Sequence, residues 1–223
     1  MALVGSGASM VLFARHVTTV AHILALIVAI LMIVWIVHYE GGANINSQDP
    51  NLVFNVHPLV MSLGFILMIG EAIMAYKTFP MEKIGQKFMH MMLQLFALVL
   101  GIFGVYVAFK YHGMSDSQNM TTLHSWLGIC TICLFGLQWL FGFLLFWFPR
   151  APPMTREMAA PLHVTAGIAI FLMTICTAET GLMEKSIVPN SLSEGQIINF
   201  TGLFILLFGV AVTVTIALRR ISL

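Results

Sequence analysis

The chain has 223 residues, of which 59% are hydrophobic and 9% charged, with a mean hydropathy of +0.95 and a net charge of +1. That composition excludes a soluble enzyme domain and a disordered chain, and the near-neutral balance gives nucleic acid nothing to bind. It places the chain among all-α membrane proteins. A bilayer core about 30 Å thick calls for about 20 apolar residues per spanning helix. Six segments meet that length, at about 16–38, 54–76, 88–110, 122–147, 160–180 and 197–218. The loops between them are short, so residues 1–223 read as one transmembrane domain, and any chemistry lies inside the bundle or at its two faces.

In chain order, the first segment follows "MALVGSGASMVLFARH", which lacks a basic leader and carries Arg15 after its apolar stretch. It reads as an uncleaved anchor. His16 and His38 mark its two ends, and His22 lies inside it without a matching neighbour, as a structural residue. The second segment opens on "FNVHPLVMSLG" with His57, and carries Gly64, Gly70 and Glu71. The loop "YKTFPMEKIGQKFMH" then brings Lys77, Lys83 and Lys87 ahead of His90. The third segment ends in "KYHGMSD", where His112 is wetted and free to titrate. The fourth begins "TTLHSWLG" with His124, and includes Cys130-x-x-Cys133 and Gln138. Those cysteines lie one helical turn apart in an apolar setting and read as packing, like Cys176. The fifth begins at "APLHVTAGIAI" with His163; Arg156 precedes it by seven residues, and Pro161 between them is a candidate helix start. The sixth has no comparable histidine. Helices 1 and 6 therefore look like flanking or oligomer-contact helices around a central bundle of helices 2 to 5.

Basic residues set the expected orientation. With the N-terminus inside, Arg15, Lys77, Lys83, Lys87, Arg150, Arg156, Arg219 and Arg220 collect on the inner side, leaving only Lys110 and Lys185 outside. This positive-inside bias puts both termini in the cytosol.

Four histidines form the main pattern. His57, His90, His124 and His163 each lie about one turn inside the start of a helix, at spacings of 33, 34 and 39 residues. Consecutive helices run in opposite directions, so His57 and His124 share the outer level and His90 and His163 the inner one. Intramembrane ionisable groups mark functional sites by default. Two imidazoles facing across a bundle suit the two axial positions of a haem iron, and a closed bis-histidine iron favours electron transfer over oxygen binding. Two pairs imply two haems, roughly 21 Å apart along the bundle at 1.5 Å per residue. Zinc fits less well because each level lacks further ligands. A transporter or pore using the histidines as a proton relay is the alternative of a different class. Glu71 and Gln138 fall at the inner level, as cofactor-tuning, proton-relaying or simply interhelical hydrogen-bonding groups.

The two faces differ. Lys83, Lys87 and His90 fall on one helical stripe, which with Arg156 suggests a cationic pocket for a small organic anion or for haem propionates. On the outer side His112, Asn119 and Glu184 border the outer pair, with Tyr106 and Tyr111 nearby.

With one histidine per helix, "NMTTLHSWLG", and "GEAIMAYKTF" before the basic loop, the chain resembles the eukaryotic cytochrome b561 family along nearly its whole length. The resemblance implies ascorbate-dependent transmembrane electron transfer through two b-type haems. His57 and His124 then ligate the non-cytosolic haem, and His90 and His163 the cytosolic one. Lys77 and Lys83 contact the cytosolic haem's propionates, and Lys83, Lys87 and Arg156 form the cytosolic ascorbate site. His112 belongs to the outer substrate site, and Glu184 lies beside the outer haem. The resemblance further implies monodehydroascorbate or a ferric chelate as acceptor, a homodimeric assembly, and a vacuolar, vesicular or plasma membrane as host.

Overall fold

In a computed structural model the chain folds into long helices, and no strand occurs among the described residues. Residues 2–221 are described, with side chains for residues 12–218; Arg219 and Arg220, assigned above to the inner face, have side chains outside that range. Helix α1 covers Ala2–Val34 and ends in a π-helical turn, Trp35–Tyr39. Helix α2 covers Pro50–Thr78, α3 Lys83–Met114, α4 Leu123–Phe146, α5 Pro153–Ser186 and α6 Leu192–Ile221. All six are long and apolar enough to cross a membrane.

Local chemistry fixes where these helices start. Asp49 caps α2 by accepting from Asn51 N at 2.9 Å, with Pro50 at the first helical position. Thr122 caps α4 through Ser125 N at 3.3 Å. Ser191 accepts from Glu194 N at 3.1 Å at the start of α6, a Ser-x-x-Glu capping arrangement. The α5 start differs from the sequence expectation. Pro153 opens the helix and Pro161 lies within it, so α5 gains about two turns on the inner side.

Helix α2 has another feature that its sequence did not disclose. Soon after Pro58, which has no N–H to donate, the winding loosens into a π-helical stretch, Val60–Leu67. The wider turn aims Phe65, Ile66 and Leu67 into the core, where all are buried.

The apolar core extends into α1 and α6, the two helices beside the histidine-bearing bundle. Most of its buried side chains come from α1 (Ala21, Ala25, Val28), α2 (Phe65, Ile69), α5 (Phe171, Ile175) and α6 (Ile205, Phe208, Val212), with Ala97 of α3 and Phe135 of α4 joining them. Helices α3 and α4 present Phe96, Ile102, Leu137 and Phe141 outward as a lipid-facing surface requires. Buried hydroxyls in this setting bond along their own helices: Thr18, Thr174 and Thr215 each donate to the carbonyl four residues back at 2.9 Å.

Helix α6 packs tightly on α2 at Gly70, where an added Cβ would lie 2.3 Å from the fully buried ring of Phe208. Gly70→Ala is therefore expected to cost about 1–3 kcal/mol through overpacking. Gly113→Ala, which meets nothing within 4 Å, is expected to be neutral or mildly stabilising. Thermal unfolding in detergent, followed by tryptophan fluorescence, measures both.

Candidate functional site

Two pairs of imidazoles meet inside the bundle. The His57 and His124 rings lie 6.1 Å apart, centre to centre, with planes at 87°. The His90 and His163 rings lie 6.4 Å apart, at 73°. Each pair joins one helix of the α2–α3 hairpin to one helix of the α4–α5 hairpin.

Backbone carbonyls hold three of these rings. His57 Nδ1 donates to Gly104 O at 2.8 Å, and His90 Nδ1 donates to Ala72 O at 2.7 Å, so α2 and α3 hold each other's histidine. His124 Nδ1 donates to Thr177 O of α5 at 2.8 Å. A ring that donates from Nδ1 keeps the lone pair of Nε2, the form in which imidazole binds metal. His163 completes the exchange between α4 and α5 differently. Gln138 Nε2 donates to His163 O at 2.6 Å and lies 3.1 Å from His163 Nδ1. Gln138 thus bridges the ring and the backbone carbonyl of His163 through one amide nitrogen, and this ring is the only one of the four met by a side-chain amide.

Each pair lines its own cavity. The inner one, about 510 Å³, is walled by Ile69, Tyr76, Trp139, Phe143, Phe146 and Gly167 among others. The outer one, about 590 Å³, is walled by Phe54, Met61, Phe65, Tyr111, Gly128 and Thr177 among others. Helix α6 contributes to both through Ile205 outside and Thr215 and Ile216 inside.

These features fit haem. Metal–imidazole bonds of roughly 2.0–2.1 Å, with about 1.1 Å from nitrogen to ring centre on each side, put two axial rings about 6.3 Å apart. The walls are flat, aromatic and locally stripped of side chains. An added Cβ on Gly142 would lie 2.9 Å from the His163 ring, and one on Gly181 would lie 2.7 Å from the His124 ring. The donor set argues against zinc: among the described residues no three or more His, Cys, Asp and Glu side chains converge on one point.

The remaining candidates distribute unevenly. Lys77 and Lys87 line the inner cavity. The Lys87 ammonium donates to Phe146 O at the end of α4 and lies within the fields of Arg150 and Arg156. Arg156 Nε is itself held by Ala151 O at 3.0 Å. Lys83 is exposed on the first turn of α3 and does not line the cavity. Arg150 is the addition that sequence reasoning did not single out. It belongs to a loop far from Lys87 in the chain, and only its place in an otherwise apolar "WFPRAPP" run marked it.

On the outer side His112 and Glu184 line the cavity, and the His112 Nδ1–H donates to Asn119 Oδ1 at 2.8 Å. Tyr111 also lines it, whereas Tyr106 is exposed and stacks on Phe103. His22 has a partner after all: its Nδ1 donates to Glu71 Oε1 at 2.9 Å, and its Nε2 lies 3.2 Å from Thr78 Oγ1. Glu71 thus binds α2 to α1 and is turned away from the inner cavity. Cys130, Cys133 and Cys176 are free thiols on exposed surface.

The family profile of eukaryotic cytochrome b561 matches residues 56–189, which include all four paired histidines. The chain is 44% identical over 204 residues to "Probable ascorbate-specific transmembrane electron transporter 1" of Oryza sativa, covering 88% of this chain and 87% of that protein. It is 41% identical over 208 residues to transmembrane ascorbate ferrireductase 1 of Arabidopsis thaliana, covering 91% and 87%. It is 34% identical over 204 residues to a transmembrane ascorbate-dependent reductase of Mus musculus, covering 88% and 80%.

Because Gly181 makes room for the His124 ring, Gly181→Val is expected to displace that ring and lower the haem bound per chain, while the His90–His163 pair keeps its own. Haem content by pyridine haemochrome, together with the reduced absorption spectrum, reads the loss.

Proposed function

The chain belongs to the eukaryotic cytochrome b561 family, and on that premise we propose that it passes electrons from ascorbate across a membrane to an acceptor on the opposite side. The observation that carries this reading is the pair of imidazole pairs, 6.1 and 6.4 Å apart, each in its own cavity within one six-helix bundle. Two haems b, one per cavity, supply reversible one-electron chemistry when bound. His57 and His124 hold the non-cytosolic one, and His90 and His163 the cytosolic one.

The residues around each pocket fix and insulate it. Carbonyls of the neighbouring helix set the tautomer and rotation of three of the rings, which reduces reorganisation when charge arrives. Aromatic walls from α4, with Phe135, Trp139, Phe143 and Phe146, exclude water from the inner pocket. At its mouth Lys87, Arg150 and Arg156 gather positive charge for the ascorbate anion, with Lys83 at the entrance as a guide. Lys77 meets the propionates. On the far side His112, oriented by Asn119, and Glu184 border the place where monodehydroascorbate or a ferric chelate is reduced.

The positive-inside bias supports a cytosolic position for the Lys87 face and for both termini. A homodimer and a vacuolar, vesicular or plasma membrane belong to the same reading, as does function of residues 1–223 as one domain.

Purified protein is expected to show a b-type spectrum with two haems per chain; a colourless preparation overturns the reading in favour of a proton-relay transporter. His124→Ala is expected to remove the outer haem while ascorbate still reduces the inner one. Lys87→Met combined with Arg150→Met is expected to raise the half-saturating ascorbate concentration about tenfold or more, because charge-assisted hydrogen bonds contribute about 1.5–3 kcal/mol each. Stopped-flow reduction measured at several ascorbate concentrations gives that value.

A further inference from the structure

One charged cluster has no part in the mechanism above. Glu40, at the end of α1, places a side chain only 8% exposed against Lys185 of α5, with Nζ 2.7 Å from Oε1. The contact is an ion pair lying off hydrogen-bond direction, so that oxygen has no hydrogen-bond partner. The Glu40 carboxyl also reaches Glu194 of α6, which is fully buried. Glu194 already has donors on both oxygens: Trp35 Nε1 at 3.1 Å on Oε1 and Asn190 N at 2.5 Å on Oε2. Lys185 contacts Glu40 directly and acts on Glu194 only through its field. Beside the Lys185 ammonium, Glu40 Oε1 has no hydrogen-bond donor, which leaves Glu40 the carboxyl with room for a proton.

The position of this cluster gives it a consequence. Glu40, Lys185 and Trp35 line the same cavity as His57 and His124. The backbone of Glu40 is fixed there by buried Asn55 of α2, whose Nδ2 donates to Glu40 O at 3.0 Å and to Gly42 O at 2.7 Å. Charge entering the pocket thus meets, at its wall, a carboxyl whose backbone is fixed, inside a medium that screens poorly.

We propose that Glu40 is a redox-linked proton site: it takes up one proton from the outer aqueous side when an electron enters the His57–His124 pocket, and returns it when the electron leaves. This rests on the electron-transfer reading above. One electron arrives from ascorbate, one O–H bond forms on Glu40, and both charges leave together when the outer acceptor is reduced. Monodehydroascorbate consumes one electron and one proton on becoming ascorbate, so such an acceptor uses both.

Burial and the Glu194 carboxyl hold Glu40 above its ordinary value of 4.5, with Lys185 opposing them. An added electron favours the protonated form. The outer midpoint potential should therefore fall as pH rises through the Glu40 titration, by at most about 59 mV per tenfold change in proton activity. The charged groups acting on Glu40 are Lys185 from α5 and Glu194 from α6. Asn55 of α2 is neutral, and the other titratable groups on this cavity wall are Tyr111 and His112 of α3, Glu184 of α5 and the paired His57 and His124.

The test is spectroelectrochemical titration of the full-length, haem-loaded protein across the mildly acidic to neutral range. The outer haem is expected to show a pH-dependent potential that Glu40→Gln abolishes, with the inner haem unchanged. A dependence that survives Glu40→Gln, or that only His112→Gln removes, overturns the proposal. Should Glu40→Gln fail to bind haem, Lys185→Met decides: removing the cation is expected to move the pH window upward, and an unmoved window overturns it. Failure to find a second haem in the unaltered protein overturns the electron-transfer reading itself. A structural ion pair alone would change stability in these variants but not the pH dependence of the potential.

Discussion

An imidazole in an apolar interior has two nitrogens to satisfy, and much of this structure follows from how that requirement is met. A backbone carbonyl already accepting its own helix's N–H keeps a second lone pair, and Gly104, Ala72 and Thr177 lend theirs to histidines of the adjacent helix. The arrangement is reciprocal between α2 and α3, each binding the other's ring. Between α4 and α5 it is reciprocal with one change, since Gln138 meets His163 from its side chain as well as at the carbonyl. Each hairpin is thereby stitched once near each end. One imidazole from each hairpin is left facing another at each level, with Nδ1 held by a carbonyl in three of the four. The sites are thus part of the packing that holds the two hairpins side by side.

How much of this was legible follows from contrast. In a chain with 9% charged residues, an isolated histidine near a helix start stands out, and antiparallel connectivity alone sorts His57, His90, His124 and His163 into two levels. Features requiring a partner from a distant helix were not legible. His22 read as solitary because Glu71, 49 positions away, faces it only after α1 docks on α2. Arg150 read as an ordinary flank residue because its proximity to Lys87 depends on the α4–α5 loop folding back.

Helix winding was also hidden. The π-helical stretch in α2 has an apolar sequence that serves any helix, and nothing in residues 60–67 announces the wider turn. Pro161 misled in the opposite sense. A proline suggests a helix start, yet α5 continues through it, as membrane helices do when neighbouring groups re-satisfy the freed carbonyl. Helices α1 and α6 looked peripheral because they lack paired histidines. Their small and aromatic faces fill the space beside α2 and α5, and that packing is what positions Trp35 and Ile205 on the outer cavity wall.

The two pockets differ in their charge, and the difference bears on direction. Lys77, Lys87, Arg150 and Arg156 surround the inner side, whereas Glu40, Glu184 and Glu194 outnumber Lys185 on the outer side. Cations that attract an anionic donor also stabilise an electron once it has arrived, so the local field favours the inner pocket over the outer. A membrane that is positive outside acts in the opposite sense, by about 2.3 kcal/mol per 100 mV for a full crossing. A proton on Glu40 acts in that same sense by removing one negative charge from the outer wall. On the proposed function, the cationic mouth would serve ascorbate binding at the expense of onward transfer, and outward flow would then depend on two contributions from outside the inner pocket: the membrane field and the proposed protonation of Glu40.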